Sequence, residues 1–203
     1  MLGTHPHRAS EMCEQRWKQL EMICSGQYPE LPIVALGEMG LDRSEKNFVS
    51  SDIQENVFVR QLELSNTHDY PLVLHLRNAE EIGLNILTQA IPPMKKIHVH
   101  CFNSSLNVAL DFFQRFPNSK LGFTPMIGYD NNERLRALVK RIPLTRILLE
   151  SDAPFFPTER NHRYSVPTDV VFVAQQIGKI KGISTQLVLD ANNMNAQFIY
   201  KKN

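Results

Sequence analysis

Glu38, His75, His100 and Asp152 each close a short apolar run of this chain. The runs are Val34-Ala35-Leu36-Gly37-Glu38, Leu72-Val73-Leu74-His75, Ile97-His98-Val99-His100 and Ile147-Leu148-Leu149-Glu150-Ser151-Asp152. Buried strands that finish in carboxylate and imidazole side chains bring oxygen and nitrogen ligands to one rim, and the chemistry of such a rim is that of a divalent ion. Taken singly, a His or Glu at a strand end is more often a polar residue satisfied near the surface. Taken together, four of them converge where like charges would repel unless a cation stood among them. Nitrogen and oxygen donors without cysteine suit Zn, Mn or Mg rather than a structural zinc cluster.

The elements that must position these residues are legible as a repeat. Apolar β-type runs fall at 33–37, 72–76, 97–101, 120–124 and 146–150, starting 39, 25, 23 and 26 residues apart, so each interval has room for one crossover helix. Helical spacing recurs in those intervals: Ala79, Ile82, Ile86, Leu87 and Ala90, then Leu106, Ala109, Leu110 and Phe113, then Leu135, Leu138, Val139 and Ile142. Further helices are predicted over 11–24, 51–66, 167–181 and 184–200, with a Pro- and aromatic-rich loop from Ala153 to Asn161. The strands are apolar at nearly every position, as expected where both faces are covered, which favours a parallel α/β barrel or a covered open sheet. Gly37 and Gly40 are read as a sharp turn just after the first strand, letting the Glu38 carboxylate reach the rim while the backbone leaves it. Asp42 fits either a cap or a group that orients a ligand.

Composition limits the function classes. The chain has 203 residues, 42% hydrophobic and 21% charged, enough for a sizeable core, and it reads as a single domain over 1–203. No run approaches the roughly 18 apolar residues of a membrane helix, and the first residues lack the apolar stretch of a signal peptide, so no membrane partner is expected and the reading is cytoplasmic, with the nucleus left open. Cys13, Cys24 and Cys101 are too scattered for a disulfide framework or a zinc ribbon. With 22 Lys+Arg against 21 Asp+Glu, no global field draws nucleic acid, and any phosphate contact must be local. The pairs Lys95-Lys96 and Lys201-Lys202 read as solvated faces, and no stable protein partner can be inferred.

The local wording resembles a known family. Gly3-Thr4-His5-Pro6-His7, Gly37-Glu38-Met39-Gly40-Leu41-Asp42, Leu74-His75-Leu76-Arg77-Asn78-Ala79, His100-Cys101-Phe102 and Glu150-Ser151-Asp152-Ala153-Pro154-Phe155 form an ordered series similar to the TatD-type metal-dependent deoxyribonucleases of the amidohydrolase-like barrel group, and closest in wording to eukaryotic TatD-domain proteins. The resemblance implies a TIM-barrel-like fold holding one or two divalent ions, Mg foremost with Mn or Zn as alternatives. It implies a hydrolase that cuts DNA phosphodiesters, commonly as a 3′–5′ exonuclease on single strands. By matching motif, Glu38 is a ligand able to bridge two ions and is counted with Asp152 as catalytic. His75 and His100 are ligands, and Asp152 is both ligand and the base that activates water. His5 is expected to contact substrate phosphate or to steady the ligands, and Arg77 and Arg160, beside Asn161, to neutralise the phosphate. His98 makes a His-x-His pair with His100, but the family pattern places the ligand at His100.

Three departures accompany the resemblance. Ser151 stands where Thr is usual, and Arg43 follows Gly-Leu-Asp where an aromatic is common. The third is larger: the family's opening strand with its Asp-x-His-x-His ligands is not in this chain, so an incomplete barrel is expected, N-terminally truncated and with about six of the eight βα units. Two readings of different class follow: a metal-dependent phosphodiesterase, or a catalytically impaired remnant that keeps part of the metal site. A related barrel hydrolase acting on amides or phosphotriesters would want a lysine at a strand end, and no strand ending offers one.

Overall fold

Each apolar run of the repeat becomes a parallel strand, and each amphipathic interval becomes a helix. The computed structural model describes residues 1–158 and 163–201. It divides into two compact units, one of Met1–His100 with Asp111–Ser119 and Tyr200–Asn203, the other of Cys101–Leu110 with Lys120–Ile199. The helices are α1 (Glu14–Cys24), α2 (Ser51–His68), α3 (Glu80–Ala90), α4 (Leu106–Arg115), α5 (Glu133–Arg141), α6 (Val170–Lys181) and α7 (Thr185–Tyr200). The strands are β1 (Leu36–Asp42), β2 (Leu72–Arg77), β3 (Ile97–Val99), β4 (Ser119–Phe123) and β5 (Ile147–Leu149). No described helix is long and apolar enough to cross a membrane.

In the first unit, β1 pairs in parallel with β2, and β2 with β3, in register Leu72↔Ile97 and Leu74↔Val99. Leu36, Met39, Leu41, Leu72, Leu74 and Ile97 are fully buried, and each such side chain contributes on the order of 1.5–3 kcal/mol. Helix α2 covers this sheet with Val57, Phe58, Gln61, Leu62 and Ser65, buried at the 3-4 spacing of one helical face. In the second unit, β4 pairs in parallel with β5 through Leu121↔Ile147 and Phe123↔Leu149, and α6 buries Val173, Ala174 and Ile177.

The first strand departs from the expected bounds. It begins at Leu36 rather than at residue 33 and runs through both glycines to Asp42, with a register break between Leu36 and Met39. Gly37 therefore belongs to a bulge within the strand and Gly40 to the regular pairing beyond it, opposite His75, and neither makes a turn after the strand. Both have positive φ, 140° at Gly37 and 144° at Gly40, and a Cβ on them would stand 2.2 Å from the Val73 carbonyl oxygen and 2.1 Å from that of His75. Only glycine lets the two backbones come this close.

The five strands of the repeat are all present, whereas a sixth βα unit is reduced to one bridge. The Leu2 amide donates to the Ala35 carbonyl at 3.2 Å and the Gly37 amide to the Leu2 carbonyl at 2.9 Å. Pairing stops there because the Thr4 amide and carbonyl, next in line for the ladder, bond the Gln61 side chain, and the chain then enters a short 3-10 turn, Pro6–Glu11.

Candidate metal centre

The bulge sets the position of Glu38. By inserting a residue it turns the carboxylate toward the end of β2, where the register Gly40↔His75 brings the imidazole alongside. Glu38 Oε2 lies 3.8 Å from His75 Nδ1 and 3.9 Å from His5 Nε2, and Glu38 Oε1 lies 3.8 Å from His100 Nε2. His100 follows β3 directly, with its amide donating to the Leu74 carbonyl at 2.9 Å. One carboxylate thus faces imidazole nitrogens with both oxygens. Ligand atoms about 2.1 Å from a common ion stand roughly 3.0 to 4.2 Å apart for angles between right and straight. The His5, Glu38 and His75 separations fall within that span, so these three side chains fit a divalent ion, while His100 faces the other carboxylate oxygen.

A second group of residues holds the imidazoles in place. His75 Nε2 lies 3.2 Å from Asp42 Oδ2, and His7 Nε2 lies 2.8 Å from the same oxygen. The Ser44 amide donates to Asp42 Oδ1 at 2.7 Å, and the Asp42 amide donates to Gln54 Oε1 at 2.8 Å. Asp42 is 3% exposed. Its burial pushes the carboxyl upward, yet the hydrogen bonds from Ser44, His7 and His75 outweigh this and hold it well below the usual carboxylate range. An ionised Asp42 accepts the Nε2 proton of His75, which leaves Nδ1 with its lone pair toward Glu38 and His5. Burial lowers His75 to about 4, with the neighbouring imidazoles adding to it against the pull of Asp42. Burial, then His75 and His7, lower His5 to about 3. Both rings are neutral at pH 7, the form a metal ligand requires.

His5 is carried by a tied segment. The Thr4 amide donates to Gln61 Oε1 at 2.7 Å and Gln61 Nε2 donates to the Thr4 carbonyl at 3.2 Å, from a glutamine buried on the apolar face of α2. Sequence reasoning did not single out His7, Gln54 or Gln61. The signal available for the last two was the placing of Gln54, Gln61 and Ser65 in the buried stripe of α2, where a polar side chain needs a backbone partner.

The other expected residues fall as follows. Arg77 ends β2, two residues beyond His75, and is exposed. Arg160 and Asn161 lie outside the described residues. His98 is buried on β3 and its Nδ1 meets the Tyr200 hydroxyl, so it is engaged in packing. Asp42, which fitted two roles, orients His75 and His7. In the second unit, Asp152 follows β5 with φ 50°, and its carboxylate and the Cys101 thiol offer ligand atoms within 4.8 Å of one another. The Glu150 carboxylate accepts the Cys101 amide at 2.8 Å, and Ser165 pins the Asp152 loop by donating its amide to the Pro154 carbonyl at 3.1 Å and its hydroxyl to the Ser151 carbonyl at 3.0 Å.

The family described as TatD related DNase has a sequence profile that matches residues 1–201. The chain belongs to the TatD related DNase family. Among TatD relatives, the human "3'-5' RNA nuclease TATDN2" is 35% identical over 98% of this chain, which spans 26% of that relative's length. The "Uncharacterized metal-dependent hydrolase YabD" of Bacillus subtilis is 30% identical over the whole of this chain and 77% of its own. The "3'-5' ssDNA/RNA exonuclease TatD" of Erwinia amylovora is 29% identical over 98% of this chain and 76% of its own. In structure, the TatD homologue YjjV of Escherichia coli aligns with a TM-score of 0.85 at 25% identity, covering 100% of this chain and 76% of that one. The chain therefore has the α/β, TIM-barrel-like fold of TatD proteins, and the relatives given above are named as nucleases and as a metal-dependent hydrolase.

Proposed function

We propose that this chain hydrolyses phosphodiester bonds in single-stranded nucleic acid, DNA in the first instance, releasing nucleotides from the 3′ end. One observation carries the reading: both oxygens of Glu38 face imidazole nitrogens at 3.8 Å, His75 on one side and His100 on the other. A bound divalent ion would lower the pKa of a water molecule and polarise a phosphate oxygen. Glu38 and His75 would hold that ion, with His100 a ligand at the other carboxylate oxygen, and imidazole-rich donors suit Zn or Mn better than Mg.

The remaining work belongs to the side chains. Asp152 takes the proton as the water oxygen attacks phosphorus and the bond to the leaving oxygen breaks, and the same carboxyl can return it. Asp42 keeps the His75 proton on Nε2, so that Nδ1 stays a donor of electrons. Arg77 offsets the charge of the phosphate. The names of the relatives, which include nucleases of RNA and of single-stranded DNA, support this substrate class.

The test is release of nucleotides from single-stranded oligonucleotides, labelled at the 3′ or the 5′ end, by the purified 203-residue chain with Mn²⁺, Zn²⁺ or Mg²⁺. Early release of the 3′ label, abolished by a chelator and by Asp152→Ala, is the expected result. Undiminished activity of Asp152→Ala would sink the mechanism. Inactivity of the wild-type chain with every ion would favour the impaired remnant.

A further inference from the structure

We infer that His5 is itself a metal ligand, so that His5 Nε2, Glu38 Oε2 and His75 Nδ1 form a three-donor site complete within the first hundred residues. This rests on the proposed ion at Glu38 and His75 and adds a residue that family resemblance assigns to substrate contact or to support.

The geometry is specific. His5 Nε2 stands 3.1 Å from His75 Nδ1 and 3.9 Å from Glu38 Oε2, and His75 Nδ1 stands 3.8 Å from the same oxygen. The point equidistant from these three atoms lies about 2.1 Å from each. That is the bond length of Zn²⁺ to imidazole nitrogen and carboxylate oxygen, roughly 2.0–2.2 Å. A phosphate-binding histidine has no need to bring its Nε2 within 3.1 Å of another imidazole nitrogen.

The surroundings are those of ligands. Asp42 supplies the outer carboxylate that accepts from His75 Nε2. Gln61 ties Thr4 through both of its backbone groups and so sets where the His5 backbone can be. The His7 amide approaches His5 Nδ1 at 3.2 Å, the long end of the N–H range. While that bond is made, the ring proton sits on Nε2, where it can point at His75 Nδ1. Ligation moves the proton to Nδ1 and gives up this one long bond, with no net change in protons. Two imidazoles and a carboxylate are the donor set of many catalytic zinc sites, and they rank Zn²⁺ above Mn²⁺ and Mg²⁺.

The experiment reads binding, not catalysis. The 203-residue chain is titrated with Zn²⁺ against a chromophoric chelator, and zinc-edge X-ray absorption counts the imidazoles at the ion. In His5→Ala the expected result is a fall in affinity above about 100-fold, more than the roughly 10–100-fold that loss of an outer partner costs. The imidazole count should fall by one. An unchanged imidazole count in His5→Ala overturns the inference. If His5→Ala lowers the melting temperature, His5→Gln, closer in size, repeats the measurement. A wild-type chain that binds no Zn²⁺ overturns both the inference and the proposed ion. One that binds Zn²⁺ through His5 but releases no nucleotide overturns only the proposed activity.

Discussion

Replacing Gly40 by alanine should damage the protein far more than replacing Gly26, although both glycines have positive φ, 144° and 79°. At Gly26 a new Cβ meets nothing within 4 Å, so the cost is conformational, about 1–2 kcal/mol. The restricted unfolded chain offsets about 0.4–1 kcal/mol of that at either site. At Gly40 the new atom would lie 2.1 Å from the His75 carbonyl oxygen and 2.9 Å from its carbon, well inside the roughly 3.5 Å at which carbon atoms settle. Strand β1 must move away from β2 by about 1 Å, at an overpacking cost of about 1–3 kcal/mol beyond the conformational one. Gly40→Ala should therefore lose about 2–4 kcal/mol net, against about 1 kcal/mol or less for Gly26→Ala. In a chain of this size that difference of about 1–3 kcal/mol corresponds to roughly 2–12 °C in melting temperature, at about 2–4 °C per kcal/mol. Urea unfolding followed by far-ultraviolet circular dichroism measures both variants. Equal losses, within about 0.5 kcal/mol, would refute the argument that backbone contact, and not φ alone, requires glycine at residue 40.

Three further outcomes are expected. Gln61→Leu removes both hydrogen bonds to Thr4 and leaves its half-buried backbone groups without that partner, a loss of about 1–3 kcal/mol that urea unfolding reads, and Zn²⁺ affinity should fall with it if His5 is a ligand. Lys120 is buried against neutral partners, the Thr145 carbonyl at 2.7 Å and Asn195 Oδ1 at 3.1 Å, and burial, with a smaller push from Arg146, lowers it to about 8. The unfolded chain then binds more protons than the folded one between pH 8 and 10.5, so the lysine's penalty is full below pH 8 and relieved above it. The stability of wild type relative to Lys120→Met should rise across that window by roughly 3 kcal/mol at most, measured by unfolding at several pH values. Arg77→Ala should weaken binding of single-stranded oligonucleotide and lower the slope of log K against log salt by about 1, seen in fluorescence anisotropy, whereas an unaltered slope would remove Arg77 from the phosphate contact.

Much of the architecture could be read from one dimension because it depends on local periodicity. Apolar runs and amphipathic intervals set the five strands and seven helices, and motif order led to the TatD family. The first strand was misplaced at its start because Ile33, Val34 and Ala35 are as apolar as the residues that follow, while the pairing partner on β2 begins opposite Leu36. Its two glycines suggested a turn, since sequence cannot distinguish a turn from a bulge in which two backbones touch.

The sequence by itself determined which side chains are able to bind an ion and the order in which the strands present them: Glu38, His75, His100 and Asp152 are written where apolar runs finish. Only the tertiary structure decided that His5 approaches His75 Nδ1 at 3.1 Å, that His7 shares Asp42 with His75, and that Gln54 and Gln61 hold the two backbones on which the site depends. The physical reason is separation along the chain. His5 and His75 are 70 residues apart and Thr4 and Gln61 are 57 apart, so no local preference relates them. Their meeting follows from parallel pairing, from the packing of α2 on β1, and from the two glycines that let β1 and β2 close to contact.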